Sequence, residues 1–103
     1  MNKINVAIFT AARSDFGIMK KTILRLNDNK LFNFYLVIGS AHLSRYFGKT
    51  INEIKKVKVK KKIIFNFPYS KNSKIKGVLE NFSNTMIYSQ NFFDKKKIDC
   101  VII

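Results

Sequence analysis

The sequence predicts an α/β fold, a parallel sheet with helices on both faces, and three observations carry that prediction. Four short apolar runs, at 4–10, 32–39, 61–67 and 98–103, read as buried strands. Between them apolar residues return at helical rather than alternating spacing. No internal repeat or low-complexity linker interrupts this β-α-β-α-β-α-β alternation, and strict alternation is the pattern of a parallel sheet with crossover helices.

The first run, INVAIFT (4–10), is short, β-branched and apolar. From Asp15 onward Phe16, Met19, Ile23 and Leu26 recur at helical spacing, with Asp15 as the candidate N-cap. NDNK at 27–30 breaks that helix, and FNFYLVIG (32–39) is the second strand, closed by Gly39. A short helical turn is expected at 41–46, then a helix from Thr50, where Thr50 and Glu53 have capping-box spacing. KKIIFNF (61–67) is the third strand, stopped by Pro68. Ile75, Val78, Leu79, Phe82, Met86 and Phe93 stripe one face of a long helix running to about Lys95, and a stripe of this kind predicts a core-facing surface. IDCVII (98–103) is the fourth strand.

Hydrophobic residues make up 47% of the 103, enough for a core and against disorder. No apolar run approaches a membrane span, and the N-terminus is too short and strand-like for a signal peptide. The single cysteine, Cys100, excludes an internal disulfide framework and fits a reducing compartment, so cytoplasm is the expected location.

The net charge of +14 raises the question of a polyanionic partner. Only three of the 20 basic residues are Arg (Arg13, Arg25 and Arg45), and the chain is equally rich in Asn, Ile and Phe, a bias that A/T-rich codons produce. In the densest stretch, KKVKVKKK at 55–62, Lys alternates with Val, as in a strand or its approach with one solvated face. A solvated surface is favoured over nucleic acid or membrane as partner. A small basic binding module using Lys55 to Lys62 is the reading from another class, and steep salt dependence of nucleic-acid binding would mark it.

Ligands of open parallel sheets bind beyond the carboxyl ends of the strands, where strand order reverses, here expected between the first and fourth strands. Arg13 follows the first strand beside a helix N-terminus, where a guanidinium can grip a phosphate bidentately. Gly17, in the first helical turn, leaves room for a ligand to approach the backbone. The competing reading, that Arg13 only pairs with Asp15, is equally compatible with the spacing. GSAHLSRYFGKT (39–50) follows the second strand and brings the one histidine, His42, to the same crevice. A lone histidine is more often structural than functional, but two polar loops meeting at one crevice carry more weight. Of the carboxylates, Asp15 alone falls at a strand's carboxyl end.

TAARSDFGIMKK, followed by GSAHLSRYFGKTINEI, resembles the N-terminus of the UDP-N-acetylglucosamine 2-epimerases, in particular their hydrolysing branch. The resemblance rests on Thr10, Arg13, Asp15, Phe16, Gly17, His42, Leu43, Ser44, Phe47, Gly48 and Thr50, and covers about residues 4–55. Ser14 stands where the family usually has Ala, and the glycine before His42 is displaced to Gly39. The resemblance implies that residues 1–103 are part of the N-terminal Rossmann-like domain of a two-domain, glycosyltransferase-B-type fold. It implies loss of the C2 proton, expulsion of UDP and addition of water to release the free 2-epimeric sugar, with no dissociable cofactor and no metal. Arg13 would contact the UDP diphosphate, Gly17 would serve through its backbone, and His42 would line the sugar side. The catalytic acid and base would lie beyond Ile103, and the full enzyme would be a homo-oligomer. The non-hydrolysing branch, or another nucleotide-sugar enzyme of the same architecture, is the alternative within this class.

Overall fold

The computed structural model describes residues 3–11, 13–43, 51–67 and 75–102, with only the backbone described for 13–15, 41 and 43. Strands β1 (Ile4–Thr10), β2 (Phe32–Ile38), β3 (Lys62–Ile64) and β4 (Cys100–Ile102) form one sheet in the order β3-β2-β1-β4. Every neighbouring pair is parallel. The order reverses between β1 and β4, the expected switch point of a Rossmann-like sheet.

Alternation along the strands sorts side chains between two cores. Val6 and Ile8 of β1 and Phe34, Leu36 and Ile38 of β2 point to one face. Helix α1 (Arg13–Asp28) covers that face through Phe16 and Ile23, helped by Met19, Leu24 and Leu26. The short α2 (Ile51–Lys55) adds Ile51 and Ile54. Ala7, Tyr35 and Val37 point to the opposite face, where Phe92 of α3 (Ile75–Lys96), Phe65 and Phe67 meet them. The sheet is therefore covered on both sides, as a parallel sheet requires.

Several boundaries differ from those the sequence predicts. Helix α1 begins at Arg13, so Asp15 lies inside its first turn and is not the N-cap. The described part of the turn expected at 41–46 is a 3₁₀ turn at Ser40–Leu43; residues 44–50 lie outside the described residues, and with Thr50 so does its capping box. β3 pairs with β2 over three residues only; Phe65 N still donates to Ile38 O at 2.9 Å before the chain turns its aromatic side chains into the second core. Of the strand predicted at 98–103, β4 takes Cys100–Ile102, while Ile98 and Asp99 precede it and Ile103 lies outside the described residues.

The stripe on α3 needs the largest correction. Ile75, Val78, Leu79, Phe82, Met86 and Phe93, expected to face the core, are all exposed, and Phe82 retains 65% of its accessible surface. The helix instead meets the sheet through Tyr88 and Phe92, whose rings stack on Phe65, Phe67 and Tyr35 at centroid distances of 5.3–6.3 Å.

The lysine-rich run is solvated, as its alternation predicts. Val57 and Val59 are buried in the α1 face while Lys56, Lys58 and Lys60 are exposed. Asn27 fixes this segment, donating to Lys58 O and accepting from Lys60 N, both at 3.1 Å. Lys62 opens an edge strand, where a lysine discourages further pairing, and its Nζ bonds Lys55 O at 3.1 Å. Lys61 bonds Asn33 and lies 5.0 Å above the Tyr35 ring.

Polar groups at the amino-terminal edge of the sheet serve the fold. Asn5 Nδ2 bonds the carbonyls of Lys96 and Lys97 at 3.2 and 3.0 Å, satisfying the last turn of α3. Asp99 accepts from Asn5 N at 2.8 Å, and Asn33 Nδ2 donates to Asn5 Oδ1 at 3.0 Å. Asp99 is thus engaged at the edge remote from the expected crevice.

Candidate functional site

The carboxyl ends of β1 and β2 are held together backbone to backbone. Gly39 N donates to Thr10 O at 2.8 Å. A Cβ on residue 39 would come within 3.2 Å of that same carbonyl and 3.3 Å of the Phe9 ring. Glycine is what lets the two strand ends approach this closely.

From this junction the 3₁₀ turn carries His42 back over β1. Its N–H bonds Gly39 O at 3.2 Å, and its Nε2 lies 3.0 Å from Thr10 Oγ1. Both side chains are buried, His42 at 1% and Thr10 at 0% exposure. One step further along the edge, the Ser40 hydroxyl donates to Phe67 O and accepts from Phe67 N at 3.3 Å, joining the end of β2 to the chain leaving β3. Three consecutive strand ends are thereby tied into one polar rim by Thr10, Gly39, Ser40 and His42.

The rim borders an open cleft on its α3 side. A cavity of about 290 Å³ is lined there by Phe9, Gly39, Ser40, Phe67, Asn81 and Phe82, among others. Aromatic rings and a few polar groups at the carboxyl edge of a parallel sheet are the composition of a small-molecule site.

The predicted site residues are distributed over this region unevenly. Arg13 opens α1 immediately beyond β1, at the helix N-terminus; its side chain lies outside the described residues. His42 is in the rim, but as a buried partner of Thr10. Gly17 is exposed on α1, and a Cβ there would meet nothing within 4 Å, so packing does not demand glycine. It opens instead on a groove of about 600 Å³ between α1 and the chain after α2, beside Lys20, Glu53, Lys56 and Lys58. The structure thus pairs His42 with the end of β1 and gives Gly17 a different opening. Ser44, Phe47, Gly48 and Thr50 of the second motif lie outside the described residues.

The sequence does not mark Ser40 or Asn81 as site residues, and it marks Phe82 only as part of the apolar stripe on α3. The signal for Ser40 is its place directly after a strand-ending glycine; only the crossover of α3 brings Asn81 and Phe82 to this edge.

No family model matches the chain. Over 46 residues, 45% of its length, the chain is 33% identical to the UDP-N,N'-diacetylbacillosamine 2-epimerase (hydrolyzing) of Legionella pneumophila. Part of the chain is similar to a nucleotide-sugar epimerase. The chain is a minor fraction of that relative, the match covering 12% of its length. No helix among the described residues is long and apolar enough to cross a membrane, and none of their His, Cys, Asp and Glu side chains cluster as a metal site would require.

Proposed function

We propose that this chain supplies the N-terminal wall of the UDP-sugar cleft in a hydrolysing UDP-2-acetamido-sugar 2-epimerase of the cytoplasm. The observation that carries the reading is the position of the two motifs. Thr10–Gly17 and the segment containing His42 leave the carboxyl ends of adjacent parallel strands, and Thr10 and His42 join them at 3.0 Å. Motifs separated by more than two dozen residues thus meet at the edge where parallel sheets hold ligands. The partial identity to a UDP-sugar 2-epimerase supports the same reading.

In this reading the α1 N-terminus and Arg13 hold the diphosphate of the leaving UDP. His42, fixed by Thr10, shapes the rim against the sugar. The reaction removes the C2 proton, expels UDP and adds water, which needs an acid and a base at the sugar. Asp99 is bonded at the opposite edge, while Asp28 ends α1 and Asp94 lies in the last turns of α3, so these carboxylates are remote from the rim. The chain alone is expected to bind UDP weakly and to release none from UDP-N-acetylglucosamine.

Residue-resolved NMR titration with UDP tests the placement. Thr10, Arg13 and the Gly39–His42 amides should shift together, while Asn5 and Asp99 at the other edge stay fixed. Shifts confined to the Lys55–Lys62 run would instead favour a general polyanion surface.

A further inference from the structure

The groove beside Gly17 lies on the α1 face, whereas the cleft at the rim opens on the α3 side, and the two share no lining residue. Phe16, Leu24 and Val57 supply the apolar part of its wall, and Lys20, Lys56 and Lys58 stand around them with Glu53. Its volume of about 600 Å³ is that of a small-molecule site. The apolar part is narrow: Phe16 and Val57 are only 4% and 7% exposed, and Leu24 is half-buried. That falls far short of the about 800 Å² that each partner buries in a standard protein interface. The groove fits a small ligand rather than a protein surface.

The fold does not engage the three ammonium groups. Lys61 and Lys62, in the same lysine-rich run, bond Asn33 and Lys55 O. Among the described residues Lys20, Lys56 and Lys58 have no side-chain bond of this kind. The backbone that carries two of them is nevertheless fixed. Asn27 clasps Lys58 O and Lys60 N, and Val57 N donates to Ile54 O at 3.1 Å. A wall held in place beforehand loses less freedom when a ligand arrives.

Gly17 completes the opening. Glycine is a poor helix former, and a Cβ at this position would meet nothing within 4 Å, so neither propensity nor packing accounts for it. Its missing side chain keeps the α1 side of the groove open.

We propose that this groove binds a small phosphomonoester with an apolar body. Lys20, Lys56 and Lys58 hold the phosphate, and the body rests on Phe16, Leu24 and Val57. Ammonium groups are compact charges with three rotatable donors and suit the tetrahedral oxygens of a phosphate, where a planar carboxylate would call for the fork of an arginine. With Glu53 counted, the lining carries two net positive charges, which complements the charge of about −1.5 to −2 on a phosphomonoester near pH 7. The site stands independently of the UDP reading of the rim.

Residue-resolved NMR titration of the chain with phenyl phosphate tests the proposal, with inorganic phosphate and phenol as the two halves of the probe. Phenyl phosphate should saturate one site and shift the amides of Gly17, Lys20, Leu24 and 56–58. Each half alone should bind about tenfold more weakly or worse. Lys56→Gln combined with Lys58→Gln should weaken binding by about tenfold or more. Lys55→Gln combined with Lys60→Gln removes the same charge from exposed positions outside the groove and should leave binding unchanged. Gly17→Leu should block the site in a chain that melts no earlier than the parent, because its Cβ displaces nothing in the fold. Equal weakening by the two lysine pairs, shifts confined to the rim, or a folded Gly17→Leu chain that binds as the parent does would each overturn the proposal, as would the absence of saturable binding.

Discussion

The two faces of the sheet are covered in different ways. On the α1 face, aliphatic side chains from β1, β2, α1 and α2 interlock into one cluster that includes the fully buried Ile8, Ile23, Leu36 and Ile54. On the α3 face, a smaller set of aromatic rings bridges the helix to the sheet, leaving a cavity of about 440 Å³ and an apolar helix surface turned outward. Periodicity in a sequence says that a helix has an apolar stripe; it does not say what the stripe meets. For α1 the two coincide. α3 carries a second apolar row through Tyr88 and Phe92, and that row faces the sheet.

This contrast sets the size of the expected mutational effects. Ile23→Ala removes a fully buried side chain from the aliphatic cluster and should lower the unfolding free energy by about 2–5 kcal/mol. Leu79→Ser on the exposed stripe should change the stability of a single subunit by only about 0.5 kcal/mol or less. Denaturant titrations at low and high protein concentration measure both, and an equal loss for the two variants would erase the distinction between the faces.

Gly39→Ala should cost about 1–3 kcal/mol, because the added Cβ would press on the Thr10 carbonyl and the Phe9 ring. A melting curve unchanged from that of the parent chain would mean that the β1 and β2 ends relax freely. A change of the opposite sign is expected at the other end of the molecule. Lys97 holds a φ of 51° just beyond the last turn of α3, a conformation that glycine adopts without a Cβ clash. Lys97→Gly should raise stability by about 1 kcal/mol, read in the same titration.

Much of this architecture is legible in the sequence because each element obeys a local rule. INVAIFT and FNFYLVIG are strands on composition alone, and their alternation with periodic stretches requires a parallel sheet. The sequence puts the cap of α1 at Asp15 while the helix starts at Arg13, because a good capping residue also serves inside a first turn, where its charge suits the helix dipole. The site is legible in part. Arg13 and His42 can be placed beyond strand ends by reading along the chain. That His42 bonds Thr10, or that Asn81 and Phe82 wall the cleft, depends on the register of β1 with β2 and on the path of α3. Neither is written in local spacing.

The central claim is that the turn after β1 is a diphosphate grip, and calorimetric titration with UDP of the chain and its Arg13 variants tests it most directly. A bidentate arginine on a diphosphate makes charge-assisted bonds worth roughly 1.5–3 kcal/mol each. Arg13→Ala should therefore weaken UDP binding at least tenfold, and Arg13→Lys should weaken it less, keeping the charge but losing the planar fork. Arg25→Ala, in the last turn of the same helix, should bind UDP as the unmodified chain does. Melting curves taken alongside should coincide for all of them. An Arg13→Ala chain that melts earlier yet binds UDP with unchanged affinity would contradict the account and leave Arg13 as a structural partner at the start of α1.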